Sequence, residues 1–140
     1  MMQACHYDIK EILYHAPPMI LIDGVEAYDD NMVASVVEIT ADSPFLEDGS
    51  VPAYVGIEYM AQSIAAYSGI KARNAGQGVK IGYLVSTRSM TLNCPVFSIG
   101  DRLSVKVELV YDETPMAVFD GAIYRTEELV AKARRNVYQP

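Results

Sequence analysis

Histidine is scarce in this chain of 140 residues, occurring only as His6 and His15, and cysteine is equally scarce, with Cys5 and Cys94 in no CxxC spacing. Two isolated cysteines fit the reduced thiols of a cytoplasmic protein and argue against a disulfide framework or a cysteine zinc site, so no metal or other cofactor is expected. Basic charge is also short: 11 Lys and Arg stand against 18 Asp and Glu, a net charge of −7. That balance argues against nucleic-acid binding, because neutralising phosphates takes a basic face. Ser43, Ser86 and Ser89 lie in no GxSxG word, which disfavours a serine nucleophile. The opening MMQACHYDIKEI has neither the basic start nor the apolar centre of a signal peptide. No repeat, low-complexity tract or linker interrupts the chain, so residues 1–140 are expected to form one domain.

What is present is a globular composition, 51% hydrophobic and 21% charged. Asp8 to Tyr14 predicts one or two helical turns, stopped by Pro17-Pro18, which donate no backbone hydrogen bonds. Ile20 to Tyr28 and Met32 to Ile39 are branched-chain runs around Asp29-Asp30-Asn31 and predict a β-hairpin. Thr40 to Val51 has loop composition. Pro52 suits a helix start, and the helix it opens is expected to end near Ala72, before Asn74, Gly76 and Gly78. Ile81 to Leu92, Leu103 to Tyr111 and Met116 to Tyr124 read as strands separated by Pro95, Gly100-Asp101 and the turn at Asp112 to Pro115. In Glu127 to Tyr138, EELVAKARR favours helix by local propensity. Leu129, Ala131 and Ala133 against Lys132 and Arg134 fit alternation instead, and a strand is expected, antiparallel to Met116–Tyr124 across a short turn at Thr126. The fold class is α+β: an antiparallel sheet with one long buried helix.

That helix carries the leading functional signal. From Ala53 to Ile70 its one charge is Glu58, within an otherwise apolar or small-polar run. Its length is borderline for a membrane span, but Glu58, Gln62, Ser63 and Ser68 make it a poor one. Ionising a buried carboxylate is costly, so Glu58 is expected to be paired, shifted in pKa, or retained for chemistry; the bland alternative is a satisfied carboxylate that fixes packing or a dimer interface. Gln62 lies one turn on, on the same face, and is expected to orient Glu58. Tyr54, Tyr59 and Tyr67 are expected to pack on the sheet, with Tyr54 alternatively lining a pocket. Met60, Met90 and Met116 suit flexible core filling.

Three stretches carry a family likeness from about Leu13 onward. HAPPMILIDGV (His15 to Val25), VPAYVGIEYMAQ (Val51 to Gln62) and CPVFSIGDRLSVKVEL (Cys94 to Leu109) resemble corresponding words of the hot-dog β-hydroxyacyl-acyl-carrier-protein dehydratases. The His-x-x-Pro-Met opening is most similar to the dehydratase-like branch of aryl-polyene biosynthesis clusters. The resemblance implies a sheet wrapped around one central helix and a dimer, with acyl tunnels and the site at the subunit interface. It implies that a His of one subunit and a Glu or Asp of the other's helix eliminate water from a 3-hydroxyacyl thioester. The carrier is acyl carrier protein, or coenzyme A. Glu58 falls on the acidic helix position and Gln62 on its supporting Gln.

The chain departs from that pattern at two places. Ala53 stands where the family has Gly after Pro52, and the loop word DSPFLEDGS has no His. His15, just before the first strand, is then the one competent general base, its alternative role being to anchor the N-terminal turn; His6 lies in the terminal segment. The amides of about Val55 and Gly56 are candidates for the thioester oxygen, and Ser43 either hydrogen-bonds substrate or shapes the loop with Pro44. The leading expectation is dehydration by His15 and Glu58 in a homodimer. Its rivals are a non-catalytic subunit paired with an active homologue, a thioesterase, and a lipid-sequestering module. Lys71, Arg73 and Lys80, with Arg134 and Arg135 as a second group, are candidates for docking an acidic carrier protein.

Overall fold

The computed structural model describes residues 2–13, 19–79 and 83–138, and for 83–85 the backbone only. In chain order the elements are β1 (Gln3–Ala4), α1 (Ile9–Ile12), β2 (Gly24–Tyr28), β3 (Met32–Glu38), β4 (Ser50–Pro52), a 3-10 turn (Ala53–Val55), α2 (Gly56–Asn74), β5 (Tyr83–Leu92), β6 (Val96–Ser98), β7 (Arg102–Glu113), β8 (Met116–Arg125) and β9 (Glu128–Tyr138). Among the described residues, seven strands form one antiparallel sheet in the order β1-β2-β3-β7-β8-β9-β5, while β4 and β6 form a separate ladder. The strand that follows α2 therefore joins the sheet at its far edge, beyond β9. The sheet curls around α2, the α+β hot-dog arrangement that the resemblance implies.

Helix α2 forms because Ala, Met, Gln, Ile and Lys favour helix and no Pro interrupts them. It stops where Gly76 takes φ 71°, in the left-handed region, and the Gln77 amide turns back to the Ala72 carbonyl at 2.8 Å. Gly56, Tyr59, Met60, Ser63, Ile64, Ala66, Tyr67 and Ile70 are buried at three- and four-residue spacing. They meet the inward residues of the sheet, among them Val33, Val107, Leu103, Val105, Phe119, Ile123 and Ala133. Met60 is core filler, as expected, while Met116 is exposed.

Several expected boundaries shift for identifiable reasons. The strand expected from Ile20 begins only at Gly24, because a side chain takes the hydrogen bonds of the preceding segment. Gln62 is 2% exposed, and its Oε1 accepts from the Leu21 amide at 2.7 Å and the Ile22 amide at 3.4 Å, while its Nε2 donates to the Met19 carbonyl at 2.7 Å. The expected α1 shrinks to one turn, since Leu13 is already extended. The supposed loop of 40–51 ends in β4, which ties to β6, and the terminal residues Gln3 and Ala4 add a strand beside β2. Glu128–Tyr138 is a strand, paired along β8 from Arg125↔Glu128 to Met116↔Tyr138, so the ladder overrides local helix propensity. A register shift between Ile123 and Tyr124 leaves Val130 as an extra residue, so Leu129 does not share a face with Ala131 and Ala133 as the simple alternation expects.

Close approach of α2 to its neighbours rests on small residues. A Cβ added at Gly69 would lie 1.9 Å from the Ile12 carbonyl oxygen, and one at Gly121 would lie 2.7 Å from Met60 Sδ. The first obstacle is backbone and cannot rotate away. Gly69→Ala should therefore destabilise the protein by about 1–3 kcal/mol through overpacking, measured by urea unfolding; parental stability would contradict the α1–α2 contact. Gln62→Leu, nearly isosteric, should cost about 2 kcal/mol or more, because it strands two buried amides and a carbonyl; unchanged unfolding would mean that those bonds contribute nothing net.

Candidate active site

Glu58 lies in the first turn of α2 and is exposed. The apolar surroundings expected from its neighbours do not enclose it, because positions 56, 59, 60 and 63 turn to the sheet and leave 58 on the open flank. A carboxylate there gains from the positive end of the helix dipole. Ahead of it, β4 and the 3-10 turn set the helix start: the Ala53 amide donates to the Pro95 carbonyl at 3.0 Å, and the Gly56 amide donates back to the Ala53 and Tyr54 carbonyls. Of the two expected oxyanion donors, Gly56 is thus already engaged. The amides of Tyr54 and Val55 lie just ahead of it, in the 3-10 turn that opens the helix.

Under this turn lies a cation that sequence reasoning assigned to the surface. Arg135, on the inward face of β9, is 5% exposed, and its Nη1 donates to the Ile57 carbonyl at 2.9 Å. Burial pulls its guanidinium below the ordinary arginine range, opposed by the charge of Glu58. The signal that could have found it was already in the alternation: Ala131, Ala133 and Arg135 share parity, while Arg134 points the other way. Arg134 pairs with Asp120 on the opposite face, its Nε at 2.7 Å and Nη2 at 2.8 Å from the carboxylate oxygens. Arg134 and Arg135 therefore do not form one docking patch.

The other expected residues are distributed as follows. Val55 and Gly56 are buried, whereas Tyr54 beside them is 63% exposed and does not pack on the sheet as expected. Tyr59 and Tyr67 pack inward; the Tyr67 hydroxyl donates to the Asp30 carbonyl at 2.6 Å, and burial, with Asp23 adding to it, pushes the Tyr59 hydroxyl up to about 12. Gln62 lies beneath Glu58 but spends its amide on Met19, Leu21 and Ile22. The Ser43 hydroxyl accepts from the Thr40 amide at 2.8 Å, a loop-shaping bond. His15 and Lys80 lie outside the described residues. His6 is exposed. Lys71 Nζ stands 5.1 Å over the Tyr67 ring, and Arg73 Nε donates to the Glu11 carbonyl.

Two larger clefts lie elsewhere. One of about 250 Å³ sits at the far end of α2, between Lys71 and Met116, and one of about 500 Å³ lies on the outer sheet face around Lys106, Tyr124 and Lys132. Neither is lined by Glu58. Beside the Glu58 end of the sheet, β5 is the edge strand, and Ser86, Thr87, Arg88 and Ser89 are all exposed, so both its faces are open. Among the described residues no group of three or more His, Cys, Asp or Glu could hold a metal ion, and no helix is long and apolar enough to cross a membrane. The arrangement offers a carboxyl group at a helix start and a fixed positive charge beneath the first turn.

Comparison with known proteins assigns the chain to a family. The chain is 27% identical over 135 residues to the 3-hydroxyacyl-[acyl-carrier-protein] dehydratase FabZ of Anaeromyxobacter sp. (strain K), covering 88% of this chain and 86% of that protein. To FabZ of Syntrophotalea carbinolica it is 28% identical over 140 residues, covering 95% and 93%. Among solved structures it is similar to the dehydratase heterocomplex ApeI:P from Xenorhabdus doucetiae, with a TM-score of 0.92 and 30% identity over 97% of this chain and 93% of that one. A hypothetical thioesterase from Streptococcus pneumoniae, at 17% identity and a TM-score of 0.66 over 83% of this chain and 84% of that one, shares the fold alone. The model of the ApeP-like family, described as ApeP dehydratase, matches residues 7–140, and the chain belongs to that dehydratase family.

Proposed function

We propose that this protein is a subunit of a 3-hydroxyacyl-acyl-carrier-protein dehydratase and contributes Glu58 to a site completed by a second hot-dog subunit. The observation that carries this is the position of Glu58, on an open flank at the positive end of α2, next to the turn that opens the helix. Among the described residues of a single chain, nothing covers it. Edge strand β5, paired only with β9 among the described strands and open on both faces, is where a second sheet can add by main-chain hydrogen bonds and supply a wall.

In the reaction, the thioester oxygen accepts hydrogen bonds from the Tyr54 and Val55 amides, which stabilise the negative charge that develops there. A base removes the proton α to the carbonyl, and the electron pair forms the α,β double bond as the C–O bond of the hydroxyl breaks. Glu58 gives its proton to the departing oxygen, and water leaves. In the homodimer His15 is the base. Tyr54 borders the acyl group, while Gln62 holds the Met19–Ile22 segment against the helix. Ser43 acts through the loop it shapes.

A second reading assigns the base to a different subunit. It is favoured by the His-free loop DSPFLEDGS, by Ala53 in the family's Gly position, and by the likeness to a dehydratase heterocomplex. Here the chain is a heterodimer partner that lends Glu58, its helix start and its edge strand.

Glu58→Gln should lower dehydration of a 3-hydroxyacyl thioester by on the order of 10²–10⁴-fold, followed by ultraviolet absorbance of the enoyl product; parental turnover would remove Glu58 from the chemistry. His15→Ala decides between the two readings. A comparable loss in the homodimer assigns the base to this chain. A homodimer that is inert until a homologous subunit is added, with His15→Ala without effect in the mixture, assigns it to the partner.

A further inference from the structure

We infer that Arg135 is a positioning residue of the dehydratase site: its buried guanidinium pins the first turn of α2, the turn that presents Glu58. The inference rests on the proposal that Glu58 belongs to the site, and deepens it.

Four observations converge on this residue. Arg135 stands at an inward position of β9, opposite Phe119 on β8 and Thr87 on β5, and so between the helix and the edge strand. It is 5% exposed, although its neighbour Arg134 has an ordinary solvent-side ion pair. Its Nη1 donates to the Ile57 carbonyl, the residue before Glu58, while its Nε is buried without a hydrogen-bond partner. Among the described residues no carboxylate lies within ion-pair distance of it.

A buried, incompletely paired guanidinium is a liability for folding. Well-packed apolar side chains of similar volume often replace buried ions without loss, and an unmet donor costs more still. Inward positions on both sides of Arg135 are filled by Ala133 and Val137, so packing alone does not call for a cation there. What the cation does is local. It ties β9 to the backbone of the turn that presents Glu58, and guanidinium donors form a rigid fork, so the bond to Ile57 limits rotation of that turn. A shift of the Ile57–Glu58 backbone of about 1 Å, without loss of the helix, is enough to cost on the order of 10²-fold in rate.

The experiment uses the active protein, homodimer or mixed complex, and a small 3-hydroxyacyl thioester that needs no carrier docking. Arg135→Met should lower kcat about 10–100-fold with KM within about threefold, and Arg135→Lys, which keeps the charge and one donor, should recover part of that loss. A folded Arg135→Met with parental kcat overturns the inference. Should Arg135→Met fail to fold, Arg135→Lys decides alone: full parental kcat overturns the positioning role, and a fall in kcat of about fivefold or more at constant KM upholds it. If Glu58→Gln itself turns over at the parental rate, the proposed site fails. If it is inactive while Arg135 variants match the parent, only this inference fails.

Discussion

Close packing of α2 into the curl of the sheet is the constraint on which the other features depend. The helix has one face that must leave water, and the sheet offers it Val105, Val107, Phe119 and Ile123. The two meet tightly because Gly121 on β8 admits Met60 and Gly69 on α2 admits the carbonyl of Ile12. Once the apolar face is seated, the rotation of the helix about its axis is set. Glu58 then has to emerge on the flank, and its first turn has to end above the inward face of β9. The position of the acid is a consequence of where Tyr59, Met60 and Ser63 are buried.

The same seating explains why two polar side chains are tolerated in the interior. Gln62 and Arg135 both lie under the functional end of α2, and both bond backbone rather than other side chains. Gln62 satisfies a stretch of chain, Met19 to Ile22, that has left the sheet and needs partners for its amides. Arg135 satisfies an early carbonyl of the helix and contributes a charge. Buried amides and guanidinium groups are worth their desolvation only where they meet such needs. Together they stiffen the end of the helix at which the chemistry is proposed.

The open edge at β5 gives a physical meaning to the dimer in the proposed function. A strand with a free row of backbone groups and exposure on both faces is an invitation to pair. Its place next to β9 means that whatever pairs there comes up against the end of the sheet that holds Arg135, beside Glu58. An identical copy and a homologous subunit both satisfy the main-chain hydrogen bonds, which carry no sequence information. The choice between them falls to side chains, and above all to which subunit owns the base.

Much of this was legible in the residues. Periodicity placed the long helix, the alternating runs placed β3, β7 and β8, and the balance of pattern against propensity placed β9. The word VPAYVGIEYMAQ identified the functional turn, because its Glu and the Gln one turn on sit in an otherwise uncharged helix. Local signals describe each segment against an average environment, and that is where they stopped. Whether Glu58 is enclosed or open depends on which face of α2 the sheet takes. Whether Gln62 serves Glu58 or the backbone of Leu21 depends on a segment forty residues away. Arg135 reads as one of a surface pair until the pleat turns it inward beneath Ile57. The sequence by itself determined the long helix and the main strands and singled out Glu58 as the candidate acid, since both follow from neighbours along the chain. Tertiary structure alone decided the surroundings of that acid, because desolvation and hydrogen bonding are settled by residues that meet only when the sheet closes on the helix.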